Sequence, residues 1–150
     1  EAPPLRAAEF DLFNGLPSAT LSVLEACLST RPVASGGRVF SRGDTGDNLF
    51  LVRHGSVRIL LPLEGGKHHH VATIGRGEFF GEMAFLDGSI RSADVEAKEP
   101  TDLYVLSRAQ FDSRANADPL MSAALFARLA HALAERLRHA DAELQSLQER

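Results

Sequence analysis

Between Val33 and Leu106 no apolar run extends far before a glycine interrupts it: Gly36-Gly37, Gly43, Gly46, Gly55, Gly65-Gly66, Gly75, Gly77, Gly81 and Gly88 divide the stretch into short pieces. Glycine supplies the backbone conformations that tight turns require, and the pieces between are rich in β-branched and aromatic residues. Turn signals at this spacing describe a β-barrel or jelly roll, mostly antiparallel. Candidate strands cover residues 38–41, 49–53, 56–63, 68–74, 92–97 and 102–107. Within the third, Val57, Ile59 and Leu61 alternate with other residues, which assigns them to one inward face. The fold expected is mainly β with flanking helices: an antiparallel β-roll, or jelly-roll-like barrel, with short N-terminal helices and a long C-terminal helix.

The flanks differ in texture. Before the glycine-rich stretch, Leu21, Leu24 and Leu28 recur at helical spacing after the start signal Pro17-Ser18, giving a helical lead-in over residues 1–32. The β-roll then spans 33–107. After Ser107 the glycines stop. Ser107 is suited to cap a short helix containing Phe111, and Pro119 suits the first turn of a longer one, so 108–150 reads as helical. Along that helix Phe126, Ala130, Leu133, Leu137, Ala140, Leu144 and Leu147 are spaced 4, 3, 4, 3, 4, 3. Such a heptad seam either packs on the chain's own barrel or pairs with a second copy. Because it continues beyond what a small barrel covers, a homodimer through residues 126–147 is expected.

Composition narrows the function classes. The chain has 150 residues, 44% of them hydrophobic, and a formal charge of −4, so it carries a core but no overall basic field. No nucleic-acid partner is expected. No run approaches the ~20 apolar residues of a bilayer span, so direct membrane insertion is not expected. The lone cysteine, Cys27, sits between Leu24 and Leu28 and reads as a buried structural thiol, compatible with a reducing, cytoplasmic setting. The sequence opens Glu1-Ala2-Pro3-Pro4 without an initiator methionine, which suggests a fused upstream domain in a larger protein.

The chemistry concentrates in residues 75–95. Gly81-Glu82-Met83-Ala84-Phe85-Leu86 starts a short helix directly after a glycine turn, and Arg91-Ser92-Ala93 leads into a strand. Amides around Met83, Ala84 and Phe85 precede any intrahelical partner and favour an anion. Arg91 adds a fixed charge with paired donors, and Ser92 a hydroxyl. Glu82, nine residues before Arg91, would repel a phosphate, so it suits a hydrogen-bond donor such as a sugar hydroxyl. An acid and a base so arranged fit a ribose on one side and a phosphate on the other.

This segment resembles the phosphate-binding cassette of cyclic-nucleotide-binding domains, as found in the catabolite activator protein, the regulatory subunit of protein kinase A and cyclic-nucleotide-gated channels. The resemblance extends to Phe40-Ser41-Arg42-Gly43-Asp44 and to Asn48 through Val57. It implies a ligand-sensing domain and not an enzyme, with no catalytic residues and no cofactor. Its ligand would be cAMP or cGMP. Glu82, helped by the Gly81 backbone, would bind the ribose 2′-hydroxyl. Arg91 would pair with the cyclic phosphate, assisted by Ser92 and by amides near Ala84 and Ala93. The base would lie against Ile59, Leu61 and Val71, with the C-terminal helix as a lid. In the family a threonine beside the arginine tends to favour cGMP; Ser92, which also carries a hydroxyl, keeps that option partly open, and cAMP is expected ahead of cGMP. One departure is Ile90, where the family often has proline; it loosens the cassette without removing a ligand. The style of the cassette is also similar to regulatory modules of bacterial sulfate-permease-type transporters, at the cytosolic face of a membrane protein.

Other constellations carry less. His68 and His70 share a strand face, but a metal-dependent cupin would need a glutamate nearer than Glu78 and a further histidine in a later strand; the next is His131. No metal site is expected. Ser92 has no histidine base in its segment. Arg128, Arg136, Arg138 and His139 alternate with Glu135, Asp141, Glu143 and Glu149 and read as a solvated helix face. The rival to ligand sensing is a ligand-free scaffold in which Glu82 and Arg91 merely pair and the heptad helix does the work.

Overall fold

The computed structural model of the chain describes residues 2–148. Two single 3-10 turns, at Ala7–Glu9 and Asp11–Phe13, precede α1 (Ser18–Glu25). Eight strands follow: β1 (Leu28–Val33), β2 (Arg38–Phe40), β3 (Leu49–His54), β4 (Ser56–Pro62), β5 (His68–Gly75), β6 (Phe79–Phe80), β7 (Asp94–Ala97) and β8 (Thr101–Leu106). The helix α2 (Glu82–Asp87) lies between β6 and β7, and α3 (Arg108–Ala115) and α4 (Pro119–Gln148) close the chain. The strands form two four-stranded antiparallel sheets, ordered β1-β8-β3-β6 and β2-β7-β4-β5. This is the expected β-roll with a long terminal helix.

Why the roll has two cores follows from β3. Leu49, Phe50, Leu51 and Val52 are all buried, so this central strand has no solvent face. Phe50 and Val52 point between the sheets, where they meet Val39, Val57, Phe80, Val95 and Leu103. Leu49 and Leu51 point to the opposite side, where Phe10, Phe13, Leu24, Phe111, Met121, Leu125 and Leu129 cover the sheet. The helices are thus the second layer of a continuous apolar structure. Full burial of one such side chain contributes ~1.5–3 kcal/mol.

Three local differences from the sequence reading have clear causes. The helical spacing does not continue through Leu28: α1 stops at Glu25, and Leu28 begins β1, inside the segment expected as helical lead-in. Pairing of all six β1 residues with β8 outweighs a short-range periodicity. β1 lies at the edge of its sheet, where Pro32 is tolerated. Second, β6 is only two residues long, held by Phe50 and Leu51 of β3, too short for any pattern to announce. Third, the ladder between β4 and β5 steps from Ile59↔Ala72 to Leu60↔His70, leaving Val71 as the extra residue of a bulge. The inward alternation seen in Val57 and Ile59 does not carry on to Leu61; Leu60 is the buried residue beyond the bulge.

At the C-terminal side, Ser107 caps α3 by accepting from the Gln110 amide at 3.2 Å, and Asp118 Oδ1 accepts from the Met121 amide at 3.0 Å ahead of α4. The stripe of α4 that packs on the body is Met121, Leu125 and Leu129, all fully buried. The heptad seam begins on the body, with Phe126 packed against the core, but its Leu137, Leu144 and Leu147 are 65%, 59% and 59% exposed. Cys27 is buried with its thiol against the Val23 carbonyl, and burial pushes the thiol pKa up despite the nearby Arg114 charge. Among the described residues no helix is long and apolar enough to cross a membrane.

Candidate functional site

The site is assembled around a glycine. Gly81 has φ +80°, and a Cβ there would lie 2.9 Å from Arg91 Nη1, 3.2 Å from the Phe50 ring and 3.3 Å from the Asn48 carbonyl. Only glycine fits both the conformation and the space. It turns the chain from β6 directly into α2, whose first backbone bond runs from the Phe85 amide back to the Gly81 carbonyl at 3.3 Å. The amides of Glu82, Met83 and Ala84 therefore precede the intrahelical ladder. Gly88 ends α2 in the left-handed conformation, donating to the Ala84 carbonyl at 2.8 Å, and Asp87 Oδ1 accepts from the Ser89 amide at 2.9 Å.

The chain then returns as Arg91, stitched on both sides to the early Gly-Asp turn. The Arg91 amide donates to the Asp44 carbonyl at 2.9 Å and its carbonyl accepts from the Gly43 amide at 2.8 Å. Arg91 is 5% exposed, and its guanidinium stacks on Phe40 at 4.3 Å, with Phe50 at 5.5 Å. Nη1 donates to the Gly81 carbonyl at 3.1 Å and Nη2 to the Asn48 carbonyl at 2.9 Å. Among the described residues no carboxylate is in ion-pair contact with it. Burial pulls the Arg91 pKa below its ordinary value, opposed by the more distant charges of Asp47, Glu82 and Asp44. A buried guanidinium whose contacts are carbonyls and rings, with the nearest carboxylates out of ion-pair reach, has the chemistry to receive an anion.

Glu82 lies on the same cavity wall but is not paired with Arg91. Its Oε1 accepts from Arg136 Nη1 at 3.0 Å; Arg136 also donates from Nη2 to the Phe79 carbonyl at 2.9 Å and stacks on the Phe79 ring at 4.1 Å. Arg136 belongs to α4, and its assignment to a solvated helix face is corrected here: it reaches across to the cassette. Nothing in the spacing of Arg128, Arg136 and Arg138 distinguishes it, because which helix face meets the cassette is set by the packing of Met121, Leu125 and Leu129.

One cavity gathers most of the expected residues. Gly81, Glu82, Met83, Ala84, Arg91, Ser92, Ala93 and Ile59 line it, with Phe40, Ile74, Phe79, Phe80, Ser89, Ile90, Val95 and Arg136. Leu61 and Val71 do not line it. The β5 bulge leaves Val71 51% exposed and puts Leu61 beyond the break in alternation; Ile74, one of the residues not anticipated, supplies the apolar wall from β5 instead. The histidine run lies elsewhere: His68 Nε2 is 3.4 Å from Asp94 Oδ2 and His70 Nε2 is 2.9 Å from Thr73 Oγ1. Among the described residues no three histidine, cysteine or acidic side chains gather as a metal-binding group.

A roll of two antiparallel sheets, interrupted by a short helix and a return segment that bring an acid and a buried arginine to one apolar cavity, defines a class of ligand-receptor domain. The sequence model of the cyclic nucleotide-binding domain matches residues 30–118, and the chain belongs to that family. It is 38% identical over 136 residues to the cyclic AMP receptor protein of Thermus thermophilus, covering 91% of this chain and 61% of the relative. It is 35% identical over 140 residues to glutaminase 1 of Bradyrhizobium diazoefficiens, covering 93% of this chain and 22% of that protein. A cyclic nucleotide-binding domain from Methylobacillus flagellatus superposes with a TM-score of 0.80 at 26% identity, covering 93% of this chain and 78% of that one. The chain spans less than two thirds of the length of these two curated relatives.

Proposed function

We propose that the chain is a regulatory sensor that binds cAMP in preference to cGMP, and that binding is transmitted through α4 to a dimeric or fused partner. The observation that carries this reading is Arg91, buried and without a carboxylate partner among the described residues, on the wall of the cavity that Glu82 shares. In this reading the cyclic phosphate takes the Arg91 fork, the Ser92 hydroxyl and the amides near Ala84 and Ala93. The ribose 2′-hydroxyl donates to Glu82, which Arg136 holds in place. The base lies between Ile59, Ile74 and the α4 side. Ser92 keeps a hydroxyl beside Arg91, so cGMP is the competing ligand that the titration must include.

Function as a sensor rather than a catalyst is supported by the family and by the portability of the module, since alignments of similar extent join it to a receptor protein and to part of a glutaminase. An upstream domain, including one of a membrane transporter with this module on its cytosolic side, is the partner we infer. The exposed seam of α4 supports pairing with a second copy through 126–147.

Titration calorimetry with cAMP and cGMP on the wild type and on Arg91→Ala tests the reading. Removing one partner of a buried charged pair costs ~2–5 kcal/mol, so the variant should bind at least ~30-fold more weakly. No heat from the wild type with either nucleotide would put the ligand-free scaffold in front.

A further inference from the structure

We infer that Arg108, outside the cavity, is the positioning residue that joins the cassette helix to the terminal helices, acting through the Phe85 carbonyl and through Asn48. The inference rests on the reading of the cavity as a cyclic-nucleotide site.

Arg108 is the first residue of α3, and its side chain touches three helices at once. Its Nη1 donates to the Phe85 carbonyl of α2, its Nε donates to Asp112 Oδ1 of α3 at 2.9 Å, and its guanidinium lies 5.1, 6.0 and 5.6 Å from the rings of Phe85, Phe111 and Phe126. Phe126 belongs to α4. The three rings form a chain, Phe85 to Phe111 at 5.7 Å and Phe111 to Phe126 at 5.5 Å, with the guanidinium over all of them. A planar fork can bond a carbonyl and a carboxylate while stacking; an ammonium cannot do all three.

The backbone of Arg108 connects to the phosphate arginine. Its amide donates to Asn48 Oδ1 at 3.3 Å, and the Asn48 carbonyl accepts from Arg91 Nη2 at 2.9 Å. α2 is thus held near both ends by arginines, Arg91 at the Gly81 carbonyl and Arg108 at the Phe85 carbonyl, and the two meet at one asparagine. A phosphate is a stronger acceptor for a guanidinium than a neutral carbonyl, so an anion in the cavity competes for the donors that Arg91 now gives to Gly81 and Asn48. Any resulting shift of α2 or Asn48 reaches Arg108 at its side chain and its amide together, and Arg108 passes it to α3 and α4.

The test is hydrogen exchange of the full chain with and without saturating cAMP and cGMP, beside calorimetric affinity, for wild type, Arg108→Met, Arg108→Lys and Asn48→Ala. In the wild type the nucleotide should protect both residues 82–87 and residues 108–129. In Arg108→Met it should still bind, with a dissociation constant changed less than ~5-fold, the low end of ordinary allosteric coupling, and protect 82–87, while protection of 108–129 is lost. Arg108→Lys should restore part of that protection, since it keeps one donor and the charge. Asn48→Ala should lower it in a protein whose Arg108 is intact, which covers the case of a methionine variant that does not fold. Binding with unchanged protection of 108–129 in every variant overturns the inference alone. Loss of affinity and of all protection together also overturns it, making Arg108 a part of the binding site or the core. A wild type that binds neither nucleotide overturns the underlying reading and this inference with it.

Discussion

The acid and the base of the cassette do not neutralise each other. Glu82 turns to Arg136 and Arg91 to backbone carbonyls, so each presents its remaining hydrogen-bonding capacity to the cavity. The Glu82–Arg91 pair of the scaffold alternative is absent, and Gly81 is what keeps the two groups where they are. Gly81→Ala should lower unfolding free energy by about 2 kcal/mol, from a left-handed conformation and crowding by Arg91, Phe50 and Asn48. Chemical denaturation reads the loss, and an unchanged midpoint would contradict the packing described. Asp94, near the end of the cassette segment, is a second single-residue lever. It accepts from the Arg42 amide at 2.7 Å and pairs with Arg38 at 2.9 Å. Burial alone would raise its pKa, but the Arg42 amide, Arg38 and His68 outweigh it and hold the carboxyl below the usual aspartate range. A depressed folded-state pKa contributes stability above the unfolded value, lost as pH falls through the folded one. The stability difference between wild type and Asp94→Asn should therefore be widest at neutral pH and shrink below about pH 4. A difference independent of pH down to acid unfolding would contradict this.

At the level of elements, α4 has a buried first part and an exposed second part. Its first part is core: Met121, Leu125 and Leu129 cover the outer face of the β1-β8-β3-β6 sheet beside Leu49 and Leu51. Beyond Arg138 every described residue is exposed. Truncation after Arg138 should leave the unfolding free energy of the monomer within about 0.5 kcal/mol, as for surface changes generally, while abolishing self-association detected by sedimentation in the longer chain. A full-length chain that stays monomeric at high concentration would refute the pairing of the seam. The heptad spacing was legible in the sequence because it repeats every seven residues. That only its first part, at Phe126, packs on the body was not legible, because Met121, Leu125 and Leu129 have an equally helical spacing and only docking decides how far each stripe is covered.

Across the whole molecule, the two cores join at β3, and the cavity lies where the inter-sheet core, the cassette and α4 meet. Phe50 shows the economy of this arrangement: it stacks on Phe80 at 5.1 Å within the sandwich and lies beside Arg91. Disturbance of the guanidinium is therefore felt in the roll as well as in the site. By itself the sequence determined the turn-punctuated β-roll, the short helix after Gly81 with an acid and an arginine in the same segment, the Ser107 cap of α3 and the Pro119 start of α4, because these depend on residue type and short spacing. Only the tertiary structure decided that Leu28 starts a strand, that the β5 bulge removes Leu61 and Val71 from the cavity and leaves Ile74 there, and that Arg136 and Arg108 reach the cassette. Each of those depends on contacts between segments distant in the chain, and long-range pairing and helix docking override what a local pattern can express.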